Sequence, residues 1–137
     1  MKTTIVIPTY NEAGNLERLV PGIFQACPEA AILIVDDNSP DGTGALADKL
    51  AAEFPAISVI HRPRKAGLGT AYVEGFSRAL KDGAEIIFEM DADLSHDPAD
   101  IPAFLEAART ADMVIGSRYK DGVRVLGWRF RRLFLSK

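Results

Sequence analysis

Apolar residues follow two rhythms along this chain, and the rhythms alternate. Short, nearly unbroken apolar runs predict buried strands over Thr3–Pro8, Ala31–Asp36, Ile57–His61 and Glu85–Met90. Between them, apolar residues recur three and four apart, the spacing of one helix face. Asn15–Gln25 places Leu16, Leu19, Val20 and Ile23 on such a face. Thr43–Phe54 forms a second helix, and Gly69–Asp82 a third that carries Ala71, Tyr72, Gly75, Phe76 and Ala79. Pro21-Gly22 falls inside the first helix and is expected to kink or shorten it. A fourth helix is well signalled: Asp97 suits the N-cap, Pro98 the first position and Asp100 the first turn, with Ile101, Phe104, Leu105 and Ala108 facing the core. Asp112–Gly116 is expected to form a short fifth strand.

Repeated strand-helix-strand units imply an α/β fold: an open, mostly parallel, Rossmann-like sheet with helices on both faces. A strand order of 3-2-1-4 sets the loops after strands one and four side by side. That is the topological switch point, where open α/β sheets bind ligands. No repeat or low-complexity linker divides the chain, and 137 residues suit one domain with a real core.

Composition narrows the class only a little. Hydrophobic residues make up 47% and charged residues 26%, ordinary values for a globular protein. One cysteine, Cys27, excludes an intrachain disulfide or a zinc site built on cysteines, and is expected in the core. The first apolar run stops at Pro8, too short for a signal core or a membrane span, so a cytoplasmic place is expected. Net charge is −3, which gives no reason to expect a nucleic-acid partner, but its distribution is uneven. Arg118, Lys120, Arg124, Arg129, Arg131, Arg132 and Lys137 stand against one acid, Asp121, in the last stretch, a marker of contact with something anionic.

The chemistry concentrates at strand ends. Asp91-Ala92-Asp93 directly follows the fourth strand, and two acids so close repel unless a cation or strong donors sit between them. A hard divalent ion shared with a phosphate ligand fits, because Mg²⁺ and Mn²⁺ prefer carboxylate and phosphate oxygens. After the first strand, Pro8-Thr9-Tyr10-Asn11-Glu12 offers a rigid turn, an aromatic and a carboxylate, suited to a base and ribose or simply to a helix start. After the second, one of Asp36 and Asp37 is expected to meet a ligand, while Asn38, Ser39 and Asp41 are turn residues. Gly67-Leu68-Gly69 lacks the Lys-Ser/Thr of a phosphate-binding P-loop and is expected to serve tight loop geometry, with Arg64 or Lys65 near enough to touch a phosphate. His96 is a candidate third ligand or supporting group. His61 is expected to be structural.

These runs resemble a known family. Ile5-Val6-Ile7-Pro8-Thr9-Tyr10-Asn11-Glu12 is similar to the start of family 2 glycosyltransferases of the GT-A fold. Ile34–Thr43, Gly67-Leu68-Gly69-Thr70-Ala71-Tyr72, Asp91-Ala92-Asp93-Leu94-Ser95-His96 and Gly116-Ser117-Arg118-Tyr119 resemble the dolichol-phosphate (polyprenol-phosphate) mannosyltransferase branch. The resemblance implies that Pro8, Tyr10, Glu12, Val35 and Asp37 contact the nucleotide. It puts Asp91 and the Ala92 backbone near ribose and phosphate, and Asp93 on the metal (Mg²⁺ or Mn²⁺). Ser95 stands where relatives often place a glutamine near the metal, so Asp91, Asp93 and Ser95 form the implied metal set. Arg118 would meet the donor diphosphate or the acceptor phosphate, and with Asp93 makes the catalytic pair.

The implied activity is inverting transfer of mannose from GDP-mannose to a polyprenol phosphate. A UDP-sugar transferase or a non-catalytic nucleotide-sugar-binding fragment are the alternatives. Residues 1–96 would be the nucleotide-binding part and 112–137 the start of the acceptor-facing part. The basic and aromatic run Gly127–Leu135 suits peripheral contact with the cytosolic face of a membrane. Relatives continue beyond the point matching Lys137, so the chain is expected to be a C-terminally truncated form of the fold.

Overall fold

The computed structural model describes residues 1–116. Its elements are β1 (Thr3–Thr9), α1 (Ala13–Ala26), β2 (Ala31–Asp36), α2 (Thr43–Glu53), β3 (Ile57–His61), α3 (Leu68–Lys81), β4 (Ile86–Glu89), a 3₁₀ turn (Pro98–Asp100) and α4 (Ile101–Ala107). The four strands are parallel, in the order β3-β2-β1-β4, as the strand-helix alternation predicts. β1 is central, with Ile5 registered on Ile32 of β2 and on Phe88 of β4.

Side chains alternate across a strand, so each strand feeds two cores. Ile5, Ile7, Ile32 and Ile34 point to one face and pack with Leu16, Leu19 and Ile23 of α1, Ala47 of α2 and Ile101 of α4. Val6, Leu33 and Val35 point to the other and meet Ala71, Tyr72 and Ala79 of α3. Cys27 is buried in the first core, and burial pushes its thiol pKa up. In α4, Ile101 is buried and Phe104, Leu105 and Ala108 are half-buried, the face the spacing predicts, with Phe104 edge-on to Phe88 at 5.2 Å. Asp97 caps this segment as expected, accepting from the Ala99 N–H at 3.0 Å.

Two expectations need correction. α1 is not cut short at Pro21 but runs on to Ala26. Pro21 and Glu17 are both exposed, so the carbonyl that loses its intrahelical partner lies on the solvent side. Residues 112–116 form no strand among the described residues, and Met113 and Ile115 are largely exposed. Alternating apolar residues make a strand only where a neighbour supplies the ladder, and β4 pairs with β1 alone among the described residues.

Candidate active site

The crevice at the switch point begins with Pro8. Asp37 N–H donates to the Thr9 carbonyl at 3.0 Å, whereas Met90 N–H donates to Val6 at 3.2 Å. In a parallel ladder alternate residues face alternate neighbours, so Pro8 faces the β4 side. Its missing N–H therefore falls just past the last rung between β1 and β4. The β1–β4 pairing ends at Val6 and Glu89, and Pro8 brings no N–H that would need a partner beyond it.

On the other side of β1, loops are laced together. Asp36 is buried and accepts from Thr9 Oγ1 at 2.9 Å and from both the N–H (3.1 Å) and hydroxyl (2.6 Å) of Ser39. Ser39 Oγ in turn accepts from Asn11 N–H at 3.0 Å. Thr43 Oγ1 accepts from Glu12 N–H at 2.9 Å and donates to Asp41, which also takes the Thr43 N–H at 3.0 Å. These bonds, the one from the Thr43 hydroxyl foremost, hold the Asp41 carboxyl below the usual carboxylate range. Asn38 Nδ2 reaches the Pro63 carbonyl at 3.3 Å. Asp36, Asn38, Ser39 and Asp41 are thus turn chemistry, as their types suggest. Glu12 caps α1 through its carbonyl, which accepts from the Asn15 and Leu16 N–H groups at 3.0 Å, and its carboxylate holds Asn15 Nδ2 at 2.6 Å.

Asp37 differs from its neighbour. Its Oδ1 pairs with Arg62 Nη1 at 2.8 Å, both side chains being 8% exposed. Arg62 has further partners: Nη2 donates to Thr70 Oγ1 at 2.7 Å and Nε lies 3.2 Å from Glu74. Asp37 Oδ2 has no partner among the described residues, so it remains able to accept from a ligand N–H. Tyr10, which follows the Thr9 bonded to the Asp37 N–H, is partly exposed, with Lys65 Nζ over its ring at 4.0 Å from the centroid. Val35 is wholly enclosed beneath α3, so any ligand contact it makes is through its backbone.

Across the crevice, Asp91 is fixed at both ends. Its Oδ1 accepts from Tyr72 Oη at 2.7 Å and its N–H donates to His96 Nδ1 at 3.1 Å. Burial and then this hydrogen bond push the Tyr72 phenol far above its ordinary pKa, so it stays a donor. Because His96 Nδ1 accepts, the ring proton sits on Nε2, which leaves no lone pair for a metal. His96 supports the Asp91 backbone and is not a third ligand in this arrangement. Asp93 is exposed, and its Oδ1 accepts from Ser95 N–H at 2.9 Å around Leu94, whose φ of 61° is unusual for a leucine. Ala92 is buried between the two acids.

The oxygen donors of Asp91, Asp93 and Ser95 fit a hard cation such as Mg²⁺ or Mn²⁺. No group of three or more His, Cys, Asp and Glu able to hold a metal occurs among the described residues, so such an ion needs oxygens from its ligand and water as well. Mg²⁺ with phosphate groups is held in this way, by one or two carboxylates.

Arg62 and Tyr72 were not singled out by the sequence as site residues. Arg62 follows a strand next to His61, and nothing in its spacing to Asp37 marks the pair. Tyr72 lies on a helix face where it reads as core, which it also is. His61, at the exposed end of β3, pairs with Asp48 at 2.7 Å. Arg118 and the Gly127–Leu135 run lie outside the described residues.

Comparison with known proteins bears on the family and the fold. The glycosyl transferase family 2 model matches residues 4–136. A polyprenol monophosphomannose synthase of Mycolicibacterium smegmatis is 51% identical over 99% of this chain and 52% of its own length. A dolichol-phosphate mannosyltransferase of Pyrococcus furiosus is 42% identical over all of this chain and 39% of its own. The chain therefore spans about half or less of the length of these relatives. Among solved structures, a mannosyltransferase from Pyrobaculum calidifontis in complex with GDP-Man and Mn²⁺ superposes with a TM-score of 0.60 at 26% identity, covering 74% of this chain and 30% of that one. With a GT-A-like parallel sheet and a family match over nearly its whole length, the chain belongs to glycosyl transferase family 2.

Proposed function

We propose that this chain carries the donor-binding part of an inverting mannosyltransferase that uses GDP-mannose and a polyprenol phosphate. The observation that carries the reading is the switch-point end of the sheet, where the β1–β4 pairing stops at Val6 and Glu89, with Tyr10 following β1, Asp37 following β2, and Asp91 and Asp93 following β4. The names and bound GDP-Man of its relatives support mannose as the sugar.

In this reading Tyr10 packs against the base and Asp37 Oδ2 accepts from its N–H groups, with Pro8, Glu12 and the Val35 backbone completing that end. Asp91 and the Ala92 backbone face ribose and phosphate. Asp91, Asp93 and Ser95 hold Mg²⁺ or Mn²⁺, which when bound supplies Lewis-acid stabilisation of the diphosphate. An oxygen of the acceptor phosphate attacks the anomeric carbon of mannose from the face opposite the diphosphate. The new carbon–oxygen bond forms as the bond to GDP breaks, and GDP leaves with that electron pair. The acceptor oxygen is already ionised near neutral pH, so the residues need only align it and no general base is required. Arg118 is assigned to phosphate oxygens by its type and place in the family motif. A lipid acceptor puts the reaction at a membrane surface, with the chain peripheral on the cytosolic face. No helix of the described residues is long and apolar enough to cross a membrane.

Calorimetric titration with GDP and UDP, each with and without Mn²⁺, tests the donor site. The expected outcome is GDP binding strengthened by Mn²⁺ and lost selectively in Asp93→Asn. Preference for UDP would move the donor to a UDP-sugar, and binding of neither would refute a donor site in this chain.

A further inference from the structure

The run Gly67–Tyr72 opens α3, and the donor-site reading gives it no task. Gly75 shows why the helix sits where it does. A Cβ there would stand 2.4 Å from Val6 Cγ1 and 3.2 Å from Val35 Cγ2, so only glycine lets α3 lie this close to β1 and β2. One turn earlier on the same buried face, Tyr72 extends across the sheet to the end of β4. It is 8% exposed, its ring lies 5.7 Å from that of Phe76, and its hydroxyl meets Asp91 Oδ1. A phenylalanine would fill the same space. What the hydroxyl adds is one directed bond to the Asp91 carboxylate; a second bond on this residue runs from its backbone N–H to His96.

We propose that Tyr72 is a positioning residue for the donor site: its hydroxyl fixes the Asp91 carboxylate by Oδ1 and leaves Oδ2 as the oxygen offered to the cation and diphosphate. This rests on the donor-site reading and extends it to a residue on a different element. The plain alternative is that Asp91 merely satisfies a buried phenol. The two differ in what the hydroxyl controls. A carboxylate held at one oxygen has its rotamer chosen before the ligand arrives, which is the known effect of groups that orient metal ligands. The same helix braces Arg62 through Thr70, so α3 reaches both carboxylates expected to read the nucleotide, Asp91 directly through Tyr72 and Asp37 by way of Arg62.

The test is the ratio of GDP affinities with and without Mn²⁺, measured by calorimetry on the wild-type chain, Tyr72→Phe and Asp93→Asn. Tyr72→Phe should lower that ratio by about tenfold, the lower end of the usual cost of removing a group that orients a ligand, at unchanged stoichiometry. Metal-free GDP affinity should fall by much less than the Mn²⁺-supported affinity, because Tyr10 and Asp37 hold the base without the ion. A ratio equal to wild type overturns the proposal, whether both affinities hold or fall together, because a structural role alone would not separate them. Asp93→Asn distinguishes the deeper failure: if it keeps the wild-type ratio, the donor-site reading itself is wrong.

Discussion

Two strand ends flank β1, and each presents acidic residues, but they are built in opposite ways. At the end of β2 the protein supplies the partners itself. Asp36 is closed off by Thr9 and Ser39, and Asp37 has a buried guanidinium against it. At the end of β4, the Asp91 carboxylate accepts from a neutral phenol and the Asp91 N–H donates to His96, with no cation against it among the described residues, in a loop with a leucine at positive φ. The lesson concerns counter-charge. Where the protein provides the cation, the carboxylate is largely part of the scaffold, with one oxygen to spare. Where, among the described residues, it provides none, the carboxylate is preorganised by an uncharged phenol and its charge is open to a ligand. Backbone strain at Leu94 fits the second kind of place, since strained residues persist where surrounding structure over-determines them.

The comparison breaks most sharply at Arg62. Arg62→Ala leaves Asp37 buried without a counter-charge, and removing one partner of a buried pair costs about 3–5 kcal/mol. Denaturant unfolding should show that loss, whereas Asp91→Asn should leave the unfolding midpoint near wild type. Equal losses would mean that the two ends are not different in kind. Gly75→Ala acts on the helix that braces both. The intruding methyl must displace α3 from Val6 and Val35, and overpacking of this sort costs about 1–3 kcal/mol, offset in part by alanine's better helix propensity. A lowered melting temperature together with weaker GDP binding is expected.

The smallest effect sharpens the lacing of β1 to β2. Asp41 is depressed in the folded state by Thr43, so the unfolded chain takes up its proton first as pH falls. Its contribution is therefore present at neutral pH and lost on acidification below the usual carboxylate range, roughly pH 4. The stability difference between wild type and Asp41→Asn should shrink along that descent in unfolding curves taken at several pH values. A difference that is constant with pH would show that the carboxylate is not what holds the turn.

Much of this was legible beforehand, because strand and helix periods are local properties of a sequence. The apolar runs name all four strands and the 3-2-1-4 order follows from their connections. Asp97 before Pro98 reads as a helix start without any structure. Residues 112–116 mislead for the opposite reason: alternation is local, but a strand exists only by pairing.

The sequence by itself determined the layered α/β sheet, the switch point and the acids placed there, since hydrophobic period and chain connection leave few other arrangements. Only the tertiary structure decided what each acid does. Asp36 and Asp37 are adjacent and identical in type, yet alternation along the chain sends one to Ser39 and the other to Arg62, 25 residues away in sequence. Tyr72 reaches Asp91 across 19 residues because a glycine lets α3 settle onto β1 and β2. Such pairings depend on how closely elements pack, and no spacing along the chain encodes that distance.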